Sequence, residues 1–402
     1  MNKKWMLHII AIVAFVGFLV LGLGSASGPK IGPGEASMVY FNTNGANGTV
    51  PDSVRIDKDA SFTIPSGQGL SFGDATFGGW VLYDENGTAT NFRVGETFKP
   101  SGGYFTFFAK WVLDVPNLEA ASSFANKLIW LQNNVESNGN YTLDISANET
   151  IGPQFLSYPG KNNVTITLRG IGVNRTITFT TRQYSNVFVI GSGVTLVLDN
   201  NITLQTTHDR PFVGIGADGS LIMNNGSTIT CTGDTGVEVS GGTFSMNGGT
   251  ITGCRGGVVV GVTGIGVRGS GTFNMSGGTI TRNNGGVFVV IGTFNMTGGT
   301  IANNTRIGDG AGVNVGFAFG NQGTATFNMS GGSITGNVSN TEVQRDGSRT
   351  LARGGGVYVD RSGRFTMTGG NITGNTAHEG ANGVFATSPG GFSNRGGTVQ
   401  PN

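Results

Sequence analysis

The side chains that could do chemistry are few in this chain, and their spacing says more than their number. The densest polar triplet is His208-Asp209-Arg210, in which an imidazole, a carboxylate and a guanidinium adjoin in one stretch. Polysaccharide hydrolysis would need paired carboxylates at a set separation, and elimination would need acidic calcium ligands beside a base. The acids beyond Tyr141, among them Asp209, Asp309 and Asp360, are thinly spread, and when aligned by repeat they do not share a column. His208-Asp209-Arg210 therefore reads as a solvated polar turn. The Gly-rich string Gly261-Val-Thr-Gly-Ile-Gly-Val-Arg-Gly269 echoes a dinucleotide fingerprint, but no helix follows it to receive a phosphate. No catalytic, cofactor-binding or metal-ligating set is assigned.

Two further residue types recur with a strict spacing. Met223, Met246, Met275, Met296, Met329 and Met367 each precede a Gly-rich turn, separated by 23, 29, 21, 33 and 38 residues. Eight residues after each stands Cys231, Cys254, Asn283, Asn304, Asn337 or Asn375. Thioethers are soft copper ligands, yet these methionines alternate with phenylalanine on one strand face, which is the pattern of core packing. The asparagines form an expected ladder, hydrogen-bonding along the axis of a stacked fold and satisfying turn backbone. Cys231 and Cys254 occupy that slot in successive repeats. Parallel neighbours ~4.8 Å apart fall within the Cα range of a disulfide, so the slot admits either a disulfide or a stack of buried thiols.

The elements that would hold these columns follow from the period. A repeat near 22 residues with insertions always at one place marks a solenoid, whose coils bury their faces only against each other. Within Gly271-Thr-Phe-Asn-Met275, alternation puts Phe273 and Met275 on one face and Thr272 and Asn274 on the other. Ile280, Ile301, Ile334 and Ile372 supply the inward residue of a second strand, and Val357 and Val359 that of a third. Three inward faces per coil predict an all-β, right-handed parallel β-helix over residues 141–402, with ten to twelve coils and a length of roughly 50 to 60 Å. The last repeat places Phe392 in the phenylalanine column but Asn394 where methionine belongs, predicting a terminal coil that faces water.

Composition agrees with such a fold. Glycine accounts for 72 of 402 residues without a collagen period, charged residues are 12%, and the net charge is +1. That balance excludes the basic footprint of a nucleic-acid binder. Lys3 and Lys4, an apolar run from Trp5 to Leu23 and small residues before Ser27 follow the grammar of an export signal over residues 1–27, with cleavage after Ala26. The run is also close to a membrane span in length, so an uncleaved anchor is the alternative, and membrane contact is expected only there. Export would permit the cysteines to oxidise.

Residues 38–111 carry short alternating aromatic runs broken by Asn-Gly and Ser-Gly, the pattern of a small β domain with hairpins. Phe41-Asn42 leading to Asn44-Gly45, the turn Phe77-Gly78-Gly79-Trp80 and the closing Ala109-Lys110-Trp111 resemble the internalin-type B repeat, also called the Listeria–Bacteroides repeat. The resemblance implies a β-grasp-like module of bacterial surface proteins that serves as spacer or interaction unit, without catalytic residues. Phe77, Trp80 and Trp111 read as its core. Residues 116–135 show helical spacing of Leu118, Ala121, Phe124, Leu128 and Ile129, predicting a helix that caps the open end of the solenoid.

The stretch Val164-Thr-Ile-Thr-Leu-Arg-Gly170 and the repeats of the type Met367-Thr-Gly-Gly-Asn-Ile-Thr-Gly374 resemble the Gly-rich, pectin-lyase-like β-helix proteins of bacterial surfaces. The resemblance implies a fold more than a chemistry. The expected function is non-catalytic adhesion or surface display at the cell surface, with the periplasm as a second compartment. The expected partner is a host or neighbouring-cell protein or glycan, met by outward Thr, Asn and Ser columns and by the loops Arg306 to Gly323 and Val338 to Gly354. The alternatives are a carbohydrate-active enzyme on the same fold and a structural spacer.

Overall fold

The computed structural model describes residues 36–84, 89–100, 102–180, 187–261, 269–316, 324–342 and 349–401. The export segment, residues 1–27, lies outside them. The chain starts with a mixed five-stranded sheet in which Ser37–Asn42 and Gly103–Val112 pair in parallel at the centre, flanked by Val54–Ile56, Thr76–Tyr83 and Ala89–Phe92. Trp80 and Trp111 are fully buried beneath it. Both indoles still donate a hydrogen bond, Trp80 to the Pro65 carbonyl at 2.9 Å and Trp111 to that of Thr43 at 3.1 Å, which removes the cost of burying a polar N–H. The ring of Phe77 meets both indoles edge-on.

The only α-helix among the described residues is Phe124–Asn134, shorter than the expected 116–135. Two local hydrogen bonds set the difference. Asn117 Oδ1 accepts the Ala120 amide at 2.9 Å, and Ser123, extended at φ −111°, accepts the Asn126 amide through its hydroxyl. Short polar side chains of this kind compete with helical pairing and favour the cap position. The helix lies between the small sheet and the solenoid and is tied to both. Asn126 and Asp74 exchange two hydrogen bonds, Gln132 bonds Asn44, and the Glu149 carboxylate of the first coil accepts the Phe124 amide at 2.7 Å. A carboxylate at that end also meets the positive pole of the helix. Phe124, Leu128, Ile129 and Leu131 close one continuous core that runs from Val39 to Val384. No helix of the described residues is long and apolar enough to cross a membrane.

From Asn140 on, the chain is a right-handed parallel β-helix. Three sheets of ten, ten and nine strands run its length. The first sheet begins at Asn140–Ile145, the second at Glu149–Ile151 and the third at Gln154–Leu156. The described residues form nine full coils and a tenth with strands in the first two sheets, fewer than the upper expectation. Among the described residues, the long gaps before Met329 and Met367 add no further coil to the three sheets. Nine steps of ~4.8 Å give a length of ~43 Å.

Pairing is in register, so like residues stack. Phe244, Phe273, Phe294, Phe327, Phe365 and Phe392 form one column with ring centroids 4.5 to 4.8 Å apart and planes within 18° of parallel. Met223 through Met367 form a second, and Asn394 takes the methionine slot of the last coil, exposed to water as expected. In earlier coils the same columns are filled by Leu and Ile, as at Leu168, Leu198 and Leu221. A fourth sheet, not anticipated from the repeat, joins Thr305–Ile307, Val338–Asn340 and Thr376–Ala377 at one corner of coils seven to nine.

The Gly-Gly turn has a steric cause on both residues. At Gly298 a Cβ would lie 2.2 Å from the Ser276 carbonyl oxygen of the coil below. Gly299 has φ +79°, and a Cβ there would lie 2.6 Å from Met275 Cε and 2.7 Å from the Gly277 carbonyl oxygen. The methionine of one coil therefore fills the space that glycine leaves in the next. Gly172 has a similar φ of +78° with no atom within 4 Å of its Cβ position. Gly172→Ala is expected to cost ~1–2 kcal/mol from the left-handed backbone alone, and Gly299→Ala measurably more. Urea-unfolding midpoints of the two variants check this; equal losses would remove the steric contribution.

Candidate binding surface

The inner column holds all six residues singled out by spacing. Asn283, Asn304, Asn337 and Asn375 are buried at 0 to 3% exposure, and each side-chain amide both donates and accepts hydrogen bonds. Asn304 Nδ2 donates to Asn337 Oδ1 at 2.9 Å and to the Ile280 carbonyl at 3.0 Å, while its Oδ1 accepts the amide and the Nδ2 of Asn283. The same arrangement repeats at Asn337 with Asn375. Hydrogen bonds of this kind offset the cost of burying the amides. The residue before five of the six slots, all but that of Cys231, adopts a left-handed bend, Arg282 at φ +57°, Asn303 at +55°, and glycine at 253, 336 and 374. That bend turns the chain from the second sheet and leaves backbone amides for the ladder to bind.

Cys231 and Cys254 occupy the two slots before Asn283 and form a disulfide, with Cα atoms 4.7 Å apart. The thiol stack is thus replaced by a covalent clamp between coils four and five. The Cys254 amide donates to Asn283 Oδ1 at 2.9 Å, so clamp and ladder are continuous. Two members escaped the spacing rule. Thr206 pairs with Cys231 in the preceding coil and gives its hydroxyl proton to the Phe179 carbonyl. Gln400 closes the other end, its Oε1 accepting the Asn375 amide at 2.7 Å and its Nε2 donating to the Asn375 carbonyl. Gln400 stands only six residues past the Asn394 slot, and its extra methylene makes up the reach. These residues hold the scaffold, and all but the half-buried Gln400 are buried.

The outward columns divide by sheet. On the second sheet, Thr203, Thr228, Thr250, Thr279 and Thr300 form one row, and Thr230, Thr252 and Thr281 belong to another. On the first, Asn274, Asn295 and Asn328 make an outer amide stack at 2.9 and 3.0 Å. The outward column of the third sheet is different. Val189, Glu238, Val259, Asn314 and Tyr358 are all buried, so this face is covered rather than presented. Apolar residues at those positions, as in Val287-Phe-Val289 and Val357-Tyr-Val359, were the signal in the sequence.

The loops of coils seven and eight meet above that third sheet. Asp309 receives three hydrogen bonds from Arg353, from the backbone amide at 2.8 Å, from Nε at 3.1 Å and from Nη2 at 2.7 Å. The Arg353 guanidinium also donates to Tyr358 Oη and lies over the rings of Tyr358 and Phe385, at 5.2 and 4.8 Å. Arg306 lies over Phe288 at 4.5 Å. The bond to Asp309 holds the Arg353 guanidinium above its ordinary pKa, while burial lowers that of Arg306 and pushes the Tyr358 hydroxyl up to about 12. Arg353 and Tyr358 thus keep one protonation state across the physiological range. Ile307 and Leu351 stand beside this cluster, half exposed.

Of the expected binding loops, 317–323 and 343–348 lie outside the described residues. His208 is half-buried, and Asp209 and Arg210 are exposed. Asp309 is engaged by Arg353, and among the described residues no three His, Cys, Asp or Glu side chains gather around a common point. No protein-family model, curated protein or solved structure matches the chain.

The clamp closes a loop of 23 residues, and cross-linking of that length restricts the unfolded chain by about 3 kcal/mol. Reduction is expected to lower the thermal midpoint while the β circular dichroism at 25 °C stays unchanged. The Cys231→Ser/Cys254→Ser double variant should melt at the reduced value with or without reductant; a midpoint indifferent to reduction in the unchanged protein would refute the clamp.

Proposed function

We propose that the chain is an exported, surface-associated rod that acts by binding, in adhesion or surface display, with a host or neighbouring-cell protein or glycan as its partner. The observation that carries this reading is the gathering of interruptions on one side of coils seven to nine. A regular coil needs about 22 residues, yet here the chain spends extra length on a fourth sheet and on the Asp309–Arg353–Tyr358 cluster above a covered third sheet. A scaffold gains nothing from that length, whereas a recognition surface does. Uncharged hydroxyl and amide rows on the other two sheets give the rod a broad polar face suited to hydroxyl-rich or peptide surfaces. The resemblance to β-helical surface proteins and the signal-like first 27 residues support export.

An array of glycans and extracellular matrix proteins, probed with the chain and with Arg353→Ala, tests the reading. At least one feature should bind, and Arg353→Ala should weaken it by ~10-fold or more, the scale of a lost anchor. Blank arrays would favour a structural spacer. Release of reducing or unsaturated ends from a polysaccharide panel, with and without calcium, would favour an enzyme instead. Surface proteolysis of intact cells checks the location, because protection of the chain would exclude an adhesin.

A further inference from the structure

The small N-terminal sheet, the helix and the first coil leave a cleft of about 300 Å³ between them. Its walls are of two kinds. Tyr83 and Phe108 of the sheet meet edge to face at 5.8 Å, and Phe155 projects from the first strand of the third sheet; all three rings are half-buried. The rest of the lining includes the polar side chains of Asn133, Glu136, Ser157 and Lys161; Asn133 gives its amide protons to the Trp111 and Ile129 carbonyls, which leaves its Oδ1 as an acceptor for a ligand. Glu136 and Lys161 form an ion pair with each other, so the cleft offers no uncompensated charge to an ionic ligand.

The walls are also built rather than incidental. Asn44 and Gln132 hold them together through reciprocal bonds, Asn44 Nδ2 to Gln132 Oε1 at 3.2 Å and Gln132 Nε2 to the Asn44 carbonyl at 2.9 Å. Gln154 Nε2 reaches across from the first coil to the Gly45 carbonyl at 2.7 Å. The small domain, the helix and the first coil, which together line the cleft, are therefore tied to one another.

A ligand for such a site needs an apolar face for the rings and hydrogen-bonding groups around its rim, with no net charge. A pyranose has that form, with C–H bonds on its face and hydroxyls at its edge. The volume is at the small end of ligand sites and holds one or two rings. We propose that this interdomain cleft binds a neutral saccharide unit, stacked on Tyr83, Phe108 and Phe155 and hydrogen-bonded by Asn133, Ser157 and the Glu136–Lys161 pair. The site is separate from the loop cluster around Arg353 and does not depend on its role.

Titration of the chain with cellobiose, chitobiose and mannobiose, followed by ligand-observed NMR, tests the proposal, with adenosine as a planar aromatic control. At least one disaccharide should bind, Tyr83→Ala and Phe155→Ala should each weaken it by ~10-fold or more, and Ser157→Trp should block it by filling the cleft. Arg353→Ala should leave this binding intact, which keeps the result apart from that of the loop cluster. If a cleft variant fails to fold, shifts of the Gln132 and Asn133 side-chain amides on adding disaccharide to the unchanged protein decide the matter. Absence of binding by all three disaccharides, binding that persists in every folded cleft variant, amides that do not move, or preference for adenosine would overturn it.

Discussion

In-register hydrogen bonding between consecutive coils is the constraint from which the rest of this structure follows. A single coil has no core of its own, and its backbone donors and acceptors point up and down the axis. Only a neighbour of the same shape can meet them. Once Phe273 is opposite Phe294, and Met275 opposite Met296, each side chain must tolerate a copy of itself ~4.8 Å away. Flat rings satisfy that demand by lying nearly parallel. Methionine satisfies it by extending into the notch of a glycine in the next coil. Glycine abundance, which as a bare number suggests disorder or low complexity, is here the complement of the methionine column.

The same constraint explains why polar residues survive inside. In coils five to nine the backbone bends through a left-handed residue at the corner after the second strand, and the amides freed by the bend face the interior. Asparagine has one acceptor oxygen and a two-proton donor, so a stack of asparagines both binds those amides and binds itself. Where the slot holds cysteine, a covalent bond links the coils instead. The column therefore passes from threonine to disulfide to asparagine to glutamine without a break. The chemistry changes along it, but the geometric task does not.

Much of this was legible in the sequence, because repetition converts local pattern into long-range contact. The spacing of Met223 to Met367 located every coil from the fourth to the ninth, and the offset of eight residues located the ladder. What repetition could not reveal was anything made once. The helix start depended on Asn117 and Ser123 capturing nearby amides, and the fourth sheet depended on three loops meeting. Gln400 lies off the period and was invisible for that reason. The Asp309–Arg353 contact joins residues 44 apart in two different insertions, and no periodic rule relates them. The cleft beside Tyr83 is assembled from three elements of unlike pattern.

The shared register has a consequence for how such a rod changes over generations. Because Gly271–Met275 and Gly292–Met296 pair residue for residue in one register, removing or duplicating one unit between them leaves both flanking surfaces able to join. Length can then vary in whole-coil steps, while the helix-sealed beginning and the loop-bearing coils are carried along intact, closer together or farther apart.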